Sequence, residues 1–190
     1  MDAATIVRSA RLAAGQSQAQ LAASAGTHQP AVGRVESGAA DATIGRLNRL
    51  LTPAGAQVIA IGTRLPTIAA WAGAFRTWLA AGDAEGVRAA FVQVADDLGS
   101  VDGDIAVALC SLPPAPTGSL GVDAALASVV QYTLQRLGLP VPRWAREASP
   151  SPEPYFIVDN PALHALVAAS TPPVFAERNV FVPAEYFESV

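Results

Sequence analysis

The chain has 190 residues, 51% of them hydrophobic and 15% charged, with a mean hydropathy of +0.32; this excludes a disordered polyelectrolyte, although alanine supplies much of the apolar fraction. Its single cysteine, Cys110, excludes an intramolecular disulfide and a cysteine-built zinc site. Net charge is uneven: residues 1–64 carry six arginines against Asp2, Glu36 and Asp41, or +3, while residues 65–190 carry six arginines against thirteen acids, or −7, so two parts with different partners are expected.

The opening segment, with Arg8 and Arg11 and no long apolar run, does not read as a signal peptide. Nowhere does an apolar run reach the roughly 18 residues of a membrane span. A cytoplasmic protein without a membrane partner is the expectation. Residues 3–14 predict an amphipathic helix with Ile6, Val7, Ala10 and Leu12 to Ala14 inward and Arg8 and Arg11 outward. Gly15 ends it. Ser17 and Gln20 then form a capping box, S-x-x-Q, at the start of a second helix. Gly26 breaks that helix, Thr27 is the expected cap of a third, and Gly38 ends the third. A fourth runs from about Ala42 to Leu51 with Ile44, Leu47, Leu50 and Leu51 on one face. The stretch around Val58, Ile59 and Ile61 predicts a strand, and Pro66 marks a boundary between a domain at 1–64 and a second at 65–190.

In the second part, Thr67 caps a helix whose stripe is Ile68, Trp71, Ala72, Phe75, Trp78 and Leu79, ending at Gly82. Asp83 caps the next, with Val87, Phe91, Val94 and Leu98 inward. A short helix near 104–112 stops at Pro113-Pro114. Val122, Leu126, Val129, Val130, Leu134 and Leu137 form a long stripe closed by Gly138 and Pro140. Residues 140–154 are proline-rich and read as extended. A short extended piece follows, then a helix capped by Asn160 with Pro161 in its first position, and finally a short strand and a helical turn. The fold class is mainly α: an N-terminal helix-turn-helix bundle and a C-terminal helical domain with one or two short strands.

Residues 17–38, SQAQLAASAGTHQPAVGRVESG, carry almost no reactive side chains, yet their spacing is informative. Ala22 can sit where two short helices cross, Gly26 supplies the turn, and Leu21, Ala25, Val32 and Val35 share a core. Gln18, Thr27, His28, Gln29, Ala31 and Arg34 are left facing outward, where a major-groove reader touches bases and phosphates. This stretch, followed by TIGRLNRLL, resembles the Xre/lambda-repressor-like helix-turn-helix family over about residues 3–52. The resemblance implies a compact helical bundle that binds double-stranded operator DNA as a homodimer. It implies that Gln18 contacts phosphate, that Thr27, His28 and Gln29 lead the recognition helix, and that Arg34 touches phosphate or base. Gly33 departs from a strong helix by about 1 kcal/mol relative to alanine.

The segments AWAGAFRTWLAAGDAEGVRAAFVQVADDL, RLGLPVPRW and PPVFAERNVFVPAEYFESV are similar to the C-terminal part of a group of actinobacterial Xre-type regulators. These resemble the antitoxin halves of two-gene modules, beside a nucleotidyltransferase-like toxin. That likeness implies a repressor that binds its cognate toxin through residues 65–190. Trp71, Phe75 and Trp78 are candidate partner contacts, although such a stripe is more often core. Trp144, after LPVPR, is a candidate exposed anchor, and a proline-rich connection packed by one tryptophan is the ordinary alternative. A small-molecule sensor with an apolar pocket of Trp71, Phe75 and Phe91 is the competing reading. No catalytic residues, no cofactor and no metal are expected. His28 and His164 lie apart, without cysteine neighbours, and the aspartates at 96, 97, 102 and 104 lack the calcium-loop spacing.

Overall fold

A computed structural model describes residues 3–58, 62–158 and 160–187. The protein is mainly helical, as its periodicity predicts, and divides into two compact units, Met1–Gly62 and Thr63–Val190.

The first unit contains α1 (Ala3–Ala13), α2 (Gln18–Ser24), α3 (Gln29–Glu36) and α4 (Ile44–Leu51), followed by a 3-10 turn at Thr52–Ala54. Between α1 and α2 the expected signals operate. Gly15 adopts φ 65°, and the N–H groups of Gly15 and Gln16 close the helix on Leu12 and Arg11 carbonyls. The Ser17 hydroxyl then accepts from the Gln20 N–H, while the Gln20 side chain accepts from the Ser17 N–H at 2.8 Å. Gly26 ends α2 in the same left-handed way.

Thr27 is not the cap of α3. Its N–H closes α2 by donating to the Ala22 carbonyl at 2.9 Å, so the cap position falls one residue later, on His28. The His28 side chain makes no capping bond, and Pro30 occupies the first turn, where no backbone donor is needed.

Val7, Ala10, Leu21, Ala22, Ala25, Val32, Val35, Leu47, Leu50 and Leu51 form the core of this unit. It contains no phenylalanine, tyrosine or tryptophan, because the first of these in the chain is Trp71. Ala22 is buried where α2 meets α3, as its small size predicts.

Three expectations are corrected. Leu12 to Ala14, expected inward, are exposed: Leu12 lies across the helix from the Val7, Ala10 and Arg11 face, and Ala13 and Ala14 stand at its open end. Ile44 stands 69% exposed in the first turn of α4, at the edge of the leucine stripe. Arg11 turns inward to pair with the buried Glu36. The predicted strand falls partly on residues 59–61, which lie outside the described residues; residues 56–58 have no regular structure.

The second unit contains α5 (Ile68–Ala81), α6 (Ala84–Gly99), α7 (Gly103–Cys110), α8 (Leu120–Arg136), α9 (Arg143–Arg146), β1 (Tyr155–Phe156), α10 (His164–Ser170), α11 (Pro173–Ala176) and β2 (Val180–Phe181). Thr67, Asp83 and Ser119 cap α5, α6 and α8 with side-chain oxygens. The two short strands pair in parallel, Tyr155 with Val180 and Phe156 with Phe181.

Helix α8 is the centre: Val122, Leu126, Val129, Val130 and Leu134 are buried, and so are the alanines between them, as a helix enclosed on all sides requires. Helices α6, α7, α9 and α11 and strand β2 pack around it. Leu137, expected in the stripe, caps the end of α8 and is exposed. The proline-rich segment expected to be extended holds the short helix α9.

Arg178, a buried arginine, fastens several of these pieces together. Its guanidinium donates to Gln131 Oε1 and the Ala145 carbonyl, both at 2.6 Å, and to the carbonyls of Arg146 and Val174. Desolvation pulls its pKa below the usual arginine value, although the neighbouring charge of Glu177 pushes the other way.

Candidate nucleic-acid interface

Helices α2 and α3 pack against each other through a connection at residues 25–28. On α3 the side chains of Val32, Val35 and Glu36 point into the unit, leaving His28, Gln29, Pro30 and Arg34 exposed. Thr27 and Ala31 are half-buried beside them. The Arg34 guanidinium has no hydrogen-bond partner among the described residues.

Behind this surface runs a hydrogen-bonded chain across three helices. Arg11 of α1 grips Glu36 of α3 with two parallel bonds, Nε to Oε1 at 2.6 Å and Nη2 to Oε2 at 2.9 Å. Gln18, at the start of α2, donates its Nε2 to the same Oε2 at 2.9 Å. Gln29 in turn donates to Gln18 Oε1 at 3.0 Å. A buried carboxylate thereby fixes which way the Gln18 amide faces, because Glu36 can only accept. The Gln18 oxygen then points at Gln29. Gln29 Oε1 and the second N–H of its amide have no partner among the described residues.

Glu36 is only 3% exposed, and burial alone would raise its pKa. The hydrogen bonds from Arg11 and Gln18, with the charges of Arg11 and Arg8, outweigh that and hold the carboxyl below its ordinary value. Arg11 is raised, chiefly by its bond to Glu36. Because these two cancel internally, the outward charge of the unit comes from Arg8, Arg34, Arg46 and Arg49 against Asp2 and Asp41. Such an excess suits a phosphate backbone.

Sequence reasoning missed Arg11 and Glu36 as partners. The signal was available: Arg11 follows Val7 by four residues, and Glu36 follows Val32 by four, so each charge shares the buried face of its helix.

The aromatic candidates of the second unit are less available than their sequence pattern implied. Phe75 is fully buried, 4.8 Å from the ring of Phe91 and edge-on to Trp78 at 5.9 Å. It has no surface to offer a partner. Trp71 and Trp78 lie half-buried against the same core. Trp144 is not a free anchor either: it is half-buried, and its indole N–H donates to the Cys110 carbonyl at 2.7 Å. The Cys110 thiol is buried, which pushes its pKa up to about 12. His164 stacks on Phe156 with ring centroids 3.6 Å apart.

Two short helices packed through small residues, with an exposed face on the second, have the geometry of a helix-turn-helix. The comparison with protein families agrees: the family model described as helix-turn-helix matches residues 7–52, so this part of the chain is an Xre/lambda-repressor-like domain. That places the protein among DNA-binding regulators. Neither the curated proteins nor the solved structures contain a match to the chain. Among the described residues no helix is long and apolar enough to cross a membrane, and no cluster of three metal-ligating side chains occurs.

Proposed function

We propose that the protein is a sequence-specific transcriptional repressor that lays α3 in the major groove and binds its operator as a homodimer. The observation that supports this best is the Arg11–Glu36–Gln18–Gln29 chain. It presents the Gln29 amide with one acceptor and one donor unused, the pair needed to meet adenine N6 and N7 side by side. Gln18 and Arg34 take phosphates or neighbouring base edges, His28 stands at the head of the helix, and Thr27 stays half-buried in the turn. A dimer reads two half-sites about 34 Å apart, or a multiple of that spacing.

The second unit is proposed to bind a protein, the cognate toxin of a two-gene module, rather than a small apolar effector. The resemblance of its segments to antitoxin-type regulators supports the toxin. Against the effector, Phe75 and Phe91 fill the space that its pocket would need.

The test is fluorescence anisotropy with the roughly 200 base pairs upstream of the gene, against unrelated DNA, at several salt concentrations. Selective, steeply salt-dependent binding is expected. Gln29→Ala should lose selectivity by about 5- to 150-fold, the equivalent of one lost base pairing worth about 1–3 kcal/mol. Arg34→Ala should lower the salt slope by about one. No selective binding even at low salt would overturn the proposal. Co-purification with the product of the adjacent gene tests the toxin.

A further inference from the structure

Gly33 sits in the interior of α3, where glycine is the least favourable residue after proline. Nothing in the unit itself asks for it there. Its φ is outside the left-handed region that Gly15, Gly26 and Gly38 occupy. Nor does packing exclude a side chain, as it does at Gly86, Gly103 and Gly121, where an added Cβ would collide with Asp83, Leu139 and Tyr155. Beyond the backbone of its own helix, a Cβ on Gly33 would meet one atom, Gln18 Oε1, at the ordinary contact distance of 3.5 Å. Gly45 and Gly73 have similar freedom, but neither belongs to α3.

The place of Gly33 on α3 gives the missing side chain a meaning. Gln29, Gly33 and Ser37 follow one another at four-residue spacing, with Pro30 and Arg34 on the strip alongside. Gly33 therefore lies among the side chains proposed to read DNA, and its surroundings have little polarity to spare. Pro30 is exposed and offers only methylene groups. The Ser37 hydroxyl donates back to the Arg34 carbonyl at 3.2 Å, and Gln18 Oε1 already accepts from Gln29.

We infer that Gly33 makes room for the C5-methyl group of a thymine, which rests against Pro30 and the bare backbone of α3. This deepens the operator-binding reading and rests on it. Among the groups that base pairs show in the major groove, the thymine methyl is the apolar one. A donor or acceptor edge placed here would give up water without gaining a partner. The methyl gives up nothing polar and gains burial. Gly33 lies four residues beyond Gln29, about 6 Å along the helix axis, and base pairs are about 3.4 Å apart. The thymine is therefore about two base pairs from the adenine proposed for Gln29, in the direction of Arg34.

Replacing thymine by deoxyuridine deletes that methyl group and nothing else. The experiment replaces, one at a time, each thymine of the upstream duplex that the wild type selects, and measures anisotropy binding of wild type and Gly33→Ala to every version. One position in each half-site should weaken the wild type about fourfold, the worth of burying one methyl-sized group. Gly33→Ala should keep the wild-type circular dichroism yet bind the unmodified duplex at least about fivefold more weakly, because its Cβ overfills the space. With deoxyuridine at that same position, the variant should come within about twofold of the wild type, which marks the two methyl groups as direct neighbours. Unchanged binding by Gly33→Ala, or a wild type indifferent to every replacement, would overturn the inference and leave the repressor reading in place. So would a loss that persists on every deoxyuridine duplex, which would trace the effect to the Gln18–Gln29 contact instead. A wild type that selects no DNA would overturn both.

Discussion

Removing the Arg11 guanidinium should cost the first unit most of its stability. In Arg11→Ala, Glu36 stays behind with its side chain almost wholly buried and its bidentate partner gone. Breaking a buried ion pair from one side costs about 3–5 kcal/mol. A unit of 62 residues at about 0.05–0.15 kcal/mol per residue has only about 3–9 kcal/mol to lose. Replacing both partners by apolar groups of similar volume, Arg11→Met with Glu36→Leu, removes the stranded charge and should return stability close to wild type. That double variant also takes away the acceptor that holds Gln18, so its fold should recover while its operator binding does not.

The two units can be followed separately in one urea titration. All three tryptophans, Trp71, Trp78 and Trp144, lie in the second unit, so fluorescence reports that unit alone while circular dichroism at 222 nm reports both. Arg11→Ala should lower the dichroism midpoint of the first unit by about 1.5–5 M urea, or abolish its transition, given a slope of about 1–2 kcal/mol/M for so small a unit. The fluorescence transition should not move. A change of less than about 0.5 kcal/mol, the range of ordinary surface substitutions, would refute the buried-pair argument. Wild-type DNA affinity in the double variant would refute the positioning role.

Gly33→Ala should stabilise the first unit by about 1 kcal/mol, since an added Cβ would lie in ordinary contact with Gln18 Oε1 at 3.5 Å; differential scanning calorimetry should show its transition about 4–8 °C higher. Acid should unfold the first unit. The Glu36 carboxyl is held below its ordinary value, so its stabilising contribution is complete above the unfolded value of about 4.3 and is lost as pH falls through the lower folded value. A dichroism titration of wild type against Arg11→Met/Glu36→Leu should show that the double variant lacks this step. Cys110, buried with its thiol pushed up to about 12, should ignore a disulfide reagent at pH 8 and react fully in denaturant; fast labelling of the native chain would contradict its burial.

Much of the first unit was legible because its boundaries are set by single residues with local effects. The left-handed turns at Gly15, Gly26 and Gly38 and the Ser17–Gln20 box need only neighbours to act. Thr27 shows where that locality fails: it competes for two roles, closing α2 and opening α3, and composition does not say which prevails. Charges are misread for another reason. Arginine and glutamate default to the surface, and only a partner on another helix makes burial of Arg11 and Glu36 tolerable. In the second unit the stripes of α5, α6 and α8 follow from periodicity. The parallel pairing of β1 and β2, two residues each and far apart in the chain, depends on contacts that no local pattern encodes. Trp144 was ambiguous until its indole had a carbonyl to bond, that of Cys110.

The guanidinium of Arg178 makes the end of the chain behave as a single piece. It bonds to α8, to the backbone of α9 and to the first turn of α11. None of these can open alone without stranding a desolvated cation whose other bonds remain aimed at it. Fraying from the last helix inward is therefore penalised, and partial opening gives way to collective opening. Amide hydrogens in α9 and α11 should exchange together, at the pace of the core helix α8.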